Sequence, residues 1–224
     1  ARDFQSWLKC HFEEIKAKAE STTSVGKLNE IENYHAHNMI FTRFDYSTGD
    51  AAGQNMVSRA TFIACEWINQ KRPEMLHYML SGNFDTEKKT SSVNLLKGRG
   101  RRVTAEVTVP RDILMKHLRV APEQIAYGQQ VATLSALLTN SSNNANHPAN
   151  GLAALYLATG QDIANIGESN QCTTYQRATR KGDFYFSITL PALIMATYGG
   201  GTKLPTQREC LRILGCEGKD KALK

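Results

Sequence analysis

The sequence predicts an α+β fold, with helices and strands mixed in globular domains. Three observations carry that expectation. Phe4, Trp7, Leu8, Phe12 and Ile15 recur at helical spacing across residues 1–20, with charges between them. Val103, Ala105, Val107 and Val109 alternate with Arg102, Thr104, Glu106 and Thr108, the two-residue period of a half-buried strand. Met39 to Phe44 alternates as a strand and leads through a glycine-containing turn into a second helical pattern.

Taken in order, the opening helix gives way to a polar linker, Ser21 to Gly26. After the strand at Met39–Phe44, the chain turns through Ser47, Thr48, Gly49 and Asp50, where a helix opens. Met56, Ala60, Ile63, Ala64 and Trp67 form its apolar face, and it ends before Pro73, because proline cannot continue the hydrogen-bond ladder. A short apolar strand is expected over Met75–Leu80, completing a strand, turn, helix and strand unit suited to a phosphorylated cofactor. Ser81 to Lys89 reads as a polar loop, and Pro110 and Asp112 start a helix after the Val103–Val109 strand. The Asn-rich stretch Ser141 to Asn150 reads as loop, and Leu152 to Ile163, poor in charge, as a buried helix. Phe184, Phe186, Ile188 and Leu190 mark another strand, Gly199 to Gly201 a break, and Pro205 to Leu214 a last helix. There are no internal repeats.

With 224 residues, the chain is long enough for one large domain or two modest ones. Its 41% hydrophobic and 21% charged residues exclude disordered and fibrous classes. A net charge of +6 favours anionic partners, either nucleic acid or phosphorylated cofactors. The basic residues are dispersed, apart from Lys97, Arg99, Arg101 and Arg102, which argues against a nucleic-acid stripe. Five widely spaced cysteines with no CxxC pair argue against a disulfide framework and a zinc site, so no metal is expected and a reducing compartment is. No apolar run reaches the roughly 18 residues of a membrane span. The chain opens on Ala1 rather than Met, which leaves room for an upstream anchor or targeting segment.

Four short motifs stand out, each with a plain structural reading beside the chemical one. Asp50-Ala51-Ala52-Gly53-Gln54-Asn55-Met56 puts small residues where backbone N–H groups can approach a phosphate, or is simply an Asp cap before helix formers. Ser81-Gly82-Asn83-Phe84-Asp85-Thr86-Glu87-Lys88-Lys89 sets a carboxylate beside two ammonium groups, one of which can stabilise an oxyanion, or is a solvated loop. Gly160-Gln161-Asp162 ends an apolar helix with an acid that can tune proton supply beside a lysine, or that caps the helix. Gly199-Gly200-Gly201-Thr202 lines a ligand site or makes a turn. His147 and Asn150 are ambiguous in the same way.

In order and spacing together, these motifs resemble hydroxymethylglutaryl-CoA reductase. Ser-Gly-Asn is followed by Glu-Lys-Lys, then Gly-Arg-Gly at 98–100, then Asn150 twelve positions before Asp162, then Gly-Gly-Gly-Thr. Ser47 to Asp50 with Gly53, Asn55 and Met56, and Cys210-Leu211 with Leu214-Gly215, agree with it. The likeness is to the class I type of eukaryotes and archaea, which uses NADPH. It implies a small ferredoxin-like cofactor domain over residues 1–80, a catalytic linking loop over 81–93 and part of a mixed α/β substrate domain over 94–224. It further implies two-step reduction of hydroxymethylglutaryl-CoA to mevalonate and coenzyme A, for isoprenoid synthesis, at sites shared within a homodimer or dimer of dimers. Lys88 then corresponds to the cation at the reacting oxygen and Asp162 to its acidic partner. Ser81, Asn83, Glu87, Lys89 and Asn150 correspond to substrate contacts. Asp50, Gly53, Gln54, Asn55 and Met56, with Gly199, Gly200, Gly201 and Thr202, correspond to cofactor contacts. A cytoplasmic location is implied, or the cytosolic face of the endoplasmic reticulum if an anchor precedes the chain.

The sequence departs from that pattern. Glu87 stands where the family has aspartate, and Gly128-Gln129-Gln130 where it has a lysine. The loop at Asn140 to Asn146 lacks the family's glycines. The family's upstream glutamate and its histidine near the C-terminus have no counterpart, since His11, His35, His37, His77, His117 and His147 all precede that context. A fragment of the enzyme is therefore expected, and the alternative is a non-catalytic relative that binds NADPH or coenzyme A.

Overall fold

A computed structural model describes residues 2–75, 78–80, 84–144 and 148–222. The chain divides into two compact units, Ala1–Asp85 and Thr86–Lys224.

In the first unit, helices α1 (Arg2–Cys10) and α2 (Phe12–Glu20) precede strands β1 (Lys27–Ala36) and β2 (Met39–Ser47) and helix α3 (Gln54–Lys71). The opening helix is thus two segments that meet at His11. Backbone bonds from His11 N to Trp7 O and from Ile15 N to His11 O, both 3.0 Å, carry the ladder across, so the apolar stripe stays continuous. Leu8, Ile15 and Ala19 from that stripe are buried with Leu28, Ala60, Ala64 and Ile68. Ala60 and Ala64 lie one turn apart, and their small side chains let α2 and α3 approach closely. Burying a side chain such as Ile15 contributes about 1.5–3 kcal/mol. β1 and β2 form an antiparallel hairpin that closes at Ala36↔Met39, with His37 in the left-handed conformation the tight turn needs (φ 54).

Two expectations here need correction. The helix after β2 starts at Gln54, not at Ser47–Asp50: its N-cap is Gly53, at φ 64. Asp50 is therefore not the cap. The strand expected over Met75–Leu80 is absent at Met75, Tyr78, Met79 and Leu80, while 76–77 lie outside the described residues.

The second unit holds α4 (Ser92–Lys97), β3 (Arg101–Val109), α5 (Arg111–Leu118), α6 (Pro122–Leu138), α7 (Pro148–Thr159), α8 (Ile166–Ser169), β4 (Thr173–Ala178), β5 (Phe184–Leu193) and α9 (Pro205–Ile213). The strands make an antiparallel sheet in the order β3-β5-β4, with Ala105 opposite Ile188 and Thr174 opposite Ile188 on the other side. The core is centred on Leu152, Tyr156 and Leu193. Tyr156 is fully buried, and its hydroxyl meets the Ile194 carbonyl at 2.5 Å and the Ser169 hydroxyl at 2.9 Å. Gln129 on α6 is also buried, and its side-chain carbonyl accepts from the Thr174 hydroxyl (3.0 Å) and the Gln176 amide (2.7 Å), tying α6 to β4.

The helix expected over Leu152–Ile163 runs instead from Pro148 to Thr159. It thereby takes Pro148 to Asn150 out of the expected loop, whose residues 145–147 lie outside the described set. Gly160, at φ 72, ends it in the left-handed conformation of a helix C-terminus. It is not a buried helix: Leu157 is 64% exposed. α6 also turns apolar side chains outward, with Tyr127, Val131, Leu134 and Leu138 exposed on one face.

The five cysteines are unpaired. Burial pushes the Cys65 thiol in one unit and the Cys172 thiol in the other up to about 11. No helix among the described residues is long and apolar enough to cross a membrane.

Candidate active site

The second unit brings Lys88 and Asp162 together. Lys88 Nζ lies 2.9 Å from Asp162 Oδ2, and the two side chains are 38% and 42% exposed. The other Asp162 oxygen accepts the Ala164 N–H at 3.1 Å and caps the 3-10 turn Ile163–Asn165. Asp162 thus caps the turn on its C-terminal side, not the helix before it. The Lys88 ammonium, opposing the smaller effect of burial, holds the Asp162 carboxyl below its ordinary value. The acid is solvent-accessible rather than buried, so it stays ionised at neutral pH and acts as an acceptor that aims the lysine.

The backbone around both residues is closely held. Lys88 sits at φ 57, a left-handed conformation that costs a non-glycine residue about 1–2 kcal/mol. Its backbone N–H donates to Glu168 Oε1 at 3.1 Å. Asn94 Nδ2 donates to the Lys89 carbonyl at 2.9 Å, and Thr90 Oγ1 to the Gly167 carbonyl at 2.8 Å. Glu87 and Lys89 flank Lys88 in the same turn. Gln161 pairs with Ala196 through both its amide groups at 2.8 Å, which fastens Gly160-Gln161-Asp162 to the chain leaving β5.

Gly199 to Thr202 lies against that same segment. A Cβ built on Gly160 would stand 2.4 Å from the Gly201 carbonyl oxygen, and one on Gly201 would stand 2.5 Å from that of Gly160. Gly199 and Gly200 are at φ 97 and φ 55, and the buried Thr202 donates its hydroxyl to the Gly199 carbonyl at 2.6 Å.

The stretch Asp50 to Met56 lies in the first unit. The cap of α3 is a glycine with no side chain to occupy the first-turn N–H groups, and no acidic residue lies in that turn. Such a helix start fits an anionic phosphate. Met56 Cε packs 2.8 Å from where a Gly53 Cβ would stand, and Met56 Sδ accepts from Thr23 Oγ1. Asn55 is exposed, and Asp50 and Gln54 are partly so. On the hairpin, Glu30, Glu32 and Asp45 gather closely, but Arg43 lies 3.4 Å from Glu32 and 3.3 Å from Asp45 and offsets their charge.

Not every expected residue joins the pair. Asn150 is exposed in the first turn of α7, and roughly 13 Å of helix separates it from Thr159. Ser81 and Asn83, like His147, lie outside the described residues. The sequence reading missed Arg99 and Glu168, whose ion pair lies beneath Lys88. In the sequence Arg99 stands out only as part of a basic cluster and a Gly-Arg-Gly landmark. Glu168 is an acid among small residues, with no periodicity to announce its burial.

The fold and site define an α+β protein with a lysine–carboxylate pair suited to a developing oxyanion. The whole chain, residues 1–224, matches the family model described as hydroxymethylglutaryl-coenzyme A reductase. It is 40% identical over 220 residues to 3-hydroxy-3-methylglutaryl-coenzyme A reductase of Pyrococcus abyssi, covering 97% of this chain and 54% of that protein. The Haloferax volcanii enzyme of the same name is 41% identical over 216 residues (95% and 53%). That of Blattella germanica is 38% identical over 224 residues (97% and 26%). The chain belongs to the hydroxymethylglutaryl-coenzyme A reductase family and spans about half the length of these archaeal relatives.

Proposed function

We propose that this chain carries part of the active site for NADPH-dependent reduction of hydroxymethylglutaryl-CoA to mevalonate and coenzyme A. The observation that carries the reading is the 2.9 Å contact between Lys88 Nζ and Asp162. When bound, NADPH supplies hydride to the thioester carbonyl. Charge then develops on the carbonyl oxygen, and the Lys88 ammonium donates a hydrogen bond to it. Asp162 keeps that ammonium oriented. Lys89, beside it, is suited to the substrate's free carboxylate, and Ser81, Asn83, Glu87 and Asn150 are further substrate contacts by their place in the family pattern. The start of α3, Gly53 to Met56, would hold the cofactor's phosphates, with Asp50 before it and Gly199 to Thr202 as further cofactor contacts by their place in the family pattern.

The small unit is proposed to be ferredoxin-like, with α2 and α3 packed beside an antiparallel pair. A shared site within a homodimer goes with the outward apolar face of α6. It also goes with the position of Asn150, which a second copy would have to supply. A cytoplasmic location suits five unpaired cysteines. The non-catalytic reading is favoured by one observation: Gln130, exposed on α6, stands near the place of the family's lysine.

The test is NADPH oxidation by the purified chain with hydroxymethylglutaryl-CoA, beside Lys88→Ala and with NADH in parallel. A chain that carries part of the site is expected to bind NADPH saturably and in preference to NADH, with turnover short of an enzyme-like rate and any substrate-dependent oxidation lost in Lys88→Ala. NADPH binding without turnover by these residues within a protein of the archaeal relatives' full length supports the non-catalytic reading instead.

A further inference from the structure

Lys88 holds an unfavoured backbone conformation in a turn that has no regular structure of its own, so its orientation depends on what lies beneath. Glu168 is fully buried there. Its Oε1 accepts both the Lys88 N–H at 3.1 Å and Arg99 Nη2 at 2.6 Å, while its Oε2 accepts Arg99 Nε at 3.0 Å. The pairing with Arg99 is two-pronged, which fixes the carboxylate plane as well as its place. Arg99 Nη2 also meets Asn165 Oδ1 at 3.3 Å, three residues after Asp162. Gly167 closes the other side: a Cβ there would stand 2.5 Å from the Lys88 carbonyl oxygen. Residues 167–168 therefore enclose both backbone polar groups of Lys88.

A buried ion pair adds little stability by itself, since desolvation offsets most of its attraction. We propose that Glu168, anchored by Arg99, is a positioning residue: its carboxylate clamps the Lys88 backbone N–H and so directs the Lys88 ammonium at Asp162 and the reacting oxygen. The proposal rests on the reductase reading of Lys88. Glu168 acts on the reacting centre through Lys88, since its carboxylate accepts from Arg99 and a backbone amide.

The experiment compares Glu168→Gln with the unaltered chain by two readouts. In steady-state turnover, kcat should fall ten-fold or more while KM for hydroxymethylglutaryl-CoA changes less than two-fold, because the ammonium is misaimed but the substrate contacts remain. In hydrogen exchange, the Lys88 amide should exchange at least ten-fold faster, while the Ile194 amide in the same unit keeps its protection. Unchanged kcat, or Lys88 and Ile194 losing protection together, overturns the proposal. Should Glu168→Gln fail to fold, Glu168→Asp serves on the same readouts. It keeps the charge for Arg99 but withdraws the oxygen from Lys88 by one methylene. If the unaltered chain shows no turnover, the exchange arm decides whether Glu168 holds Lys88, and the reductase reading is tested separately by turnover of these residues within a protein of the archaeal relatives' full length.

Discussion

Gly160 and Gly201 meet backbone to backbone, so that a methyl group on either would stand within 2.5 Å of the other's carbonyl oxygen. This contact locks the Gly-Gln-Asp segment, and with it Asp162, against the triple-glycine turn. Gly201→Ala should destabilise the second unit by about 1–3 kcal/mol, the usual result of forcing a methylene into a packed site. Gly160→Ala should cost more, because its φ of 72 adds about 1–2 kcal/mol of left-handed strain. Urea midpoints of the two variants check the order.

Gly128 is the opposite case. It lies within α6, and nothing stands within 4 Å of an added Cβ. Gly128→Ala should therefore raise stability by about 0.4–1 kcal/mol, chiefly by restricting the unfolded chain. A thermal melt reads the effect, and a lowered midpoint contradicts it.

The contrast shows how far composition and spacing reach. Helix α3 was legible because Ala60, Ala64 and Trp67 repeat at helical spacing, and β3 because its valines alternate. β1 was not: Glu30, Glu32, Asn33 and His35 give it no apolar face to read, and its hairpin turn, His37-Asn38, lacks glycine. It forms because Leu28 and Ile31 reach the core and β2 supplies its partners. In the site, Lys88 and Asp162 were visible as motifs 74 residues apart in sequence, as their numbers show. Glu168 was not, since its partners Arg99 and the Lys88 amide are brought to it only by the fold.

Asp162 contributes one part of the pH dependence. Its carboxyl titrates below the ordinary value of 3.8 in the folded chain, so the folded state favours the ionised form. The sign is that of a depressed carboxylate: its stabilisation is fully present above the unfolded value and is lost as pH falls through the folded one. Asp162→Asn should accordingly flatten the stability profile below about pH 4 and leave its shape above pH 5 unchanged. With the side chain 42% exposed, solvent keeps the effect small, about 1 kcal/mol or less. Denaturant midpoints from pH 3 to 7 test it.

Leu134 and Leu138, one turn apart on α6, are 63% and 86% exposed. If this face is covered by a second copy, light scattering should give twice the chain mass. Leu134→Glu together with Leu138→Glu should reduce it to one, with melting of the first unit unaffected. A single-chain mass for the unaltered protein sinks the expectation.

Burial raises two of the five thiols above their ordinary value, and they are divided between the units: the half-buried Cys65 in one, the buried Cys172 in the other. Thiolate is the form that reacts with alkylating reagents, and both groups are held up at about 11, so each reacts slowly while its surroundings stay closed. The chain thus carries a separate clock for each half. In one labelling time course tracked by peptide mass, exposed Cys10 marks the start, and the later arrival of label at residues 65 and 172 times the opening of each half independently.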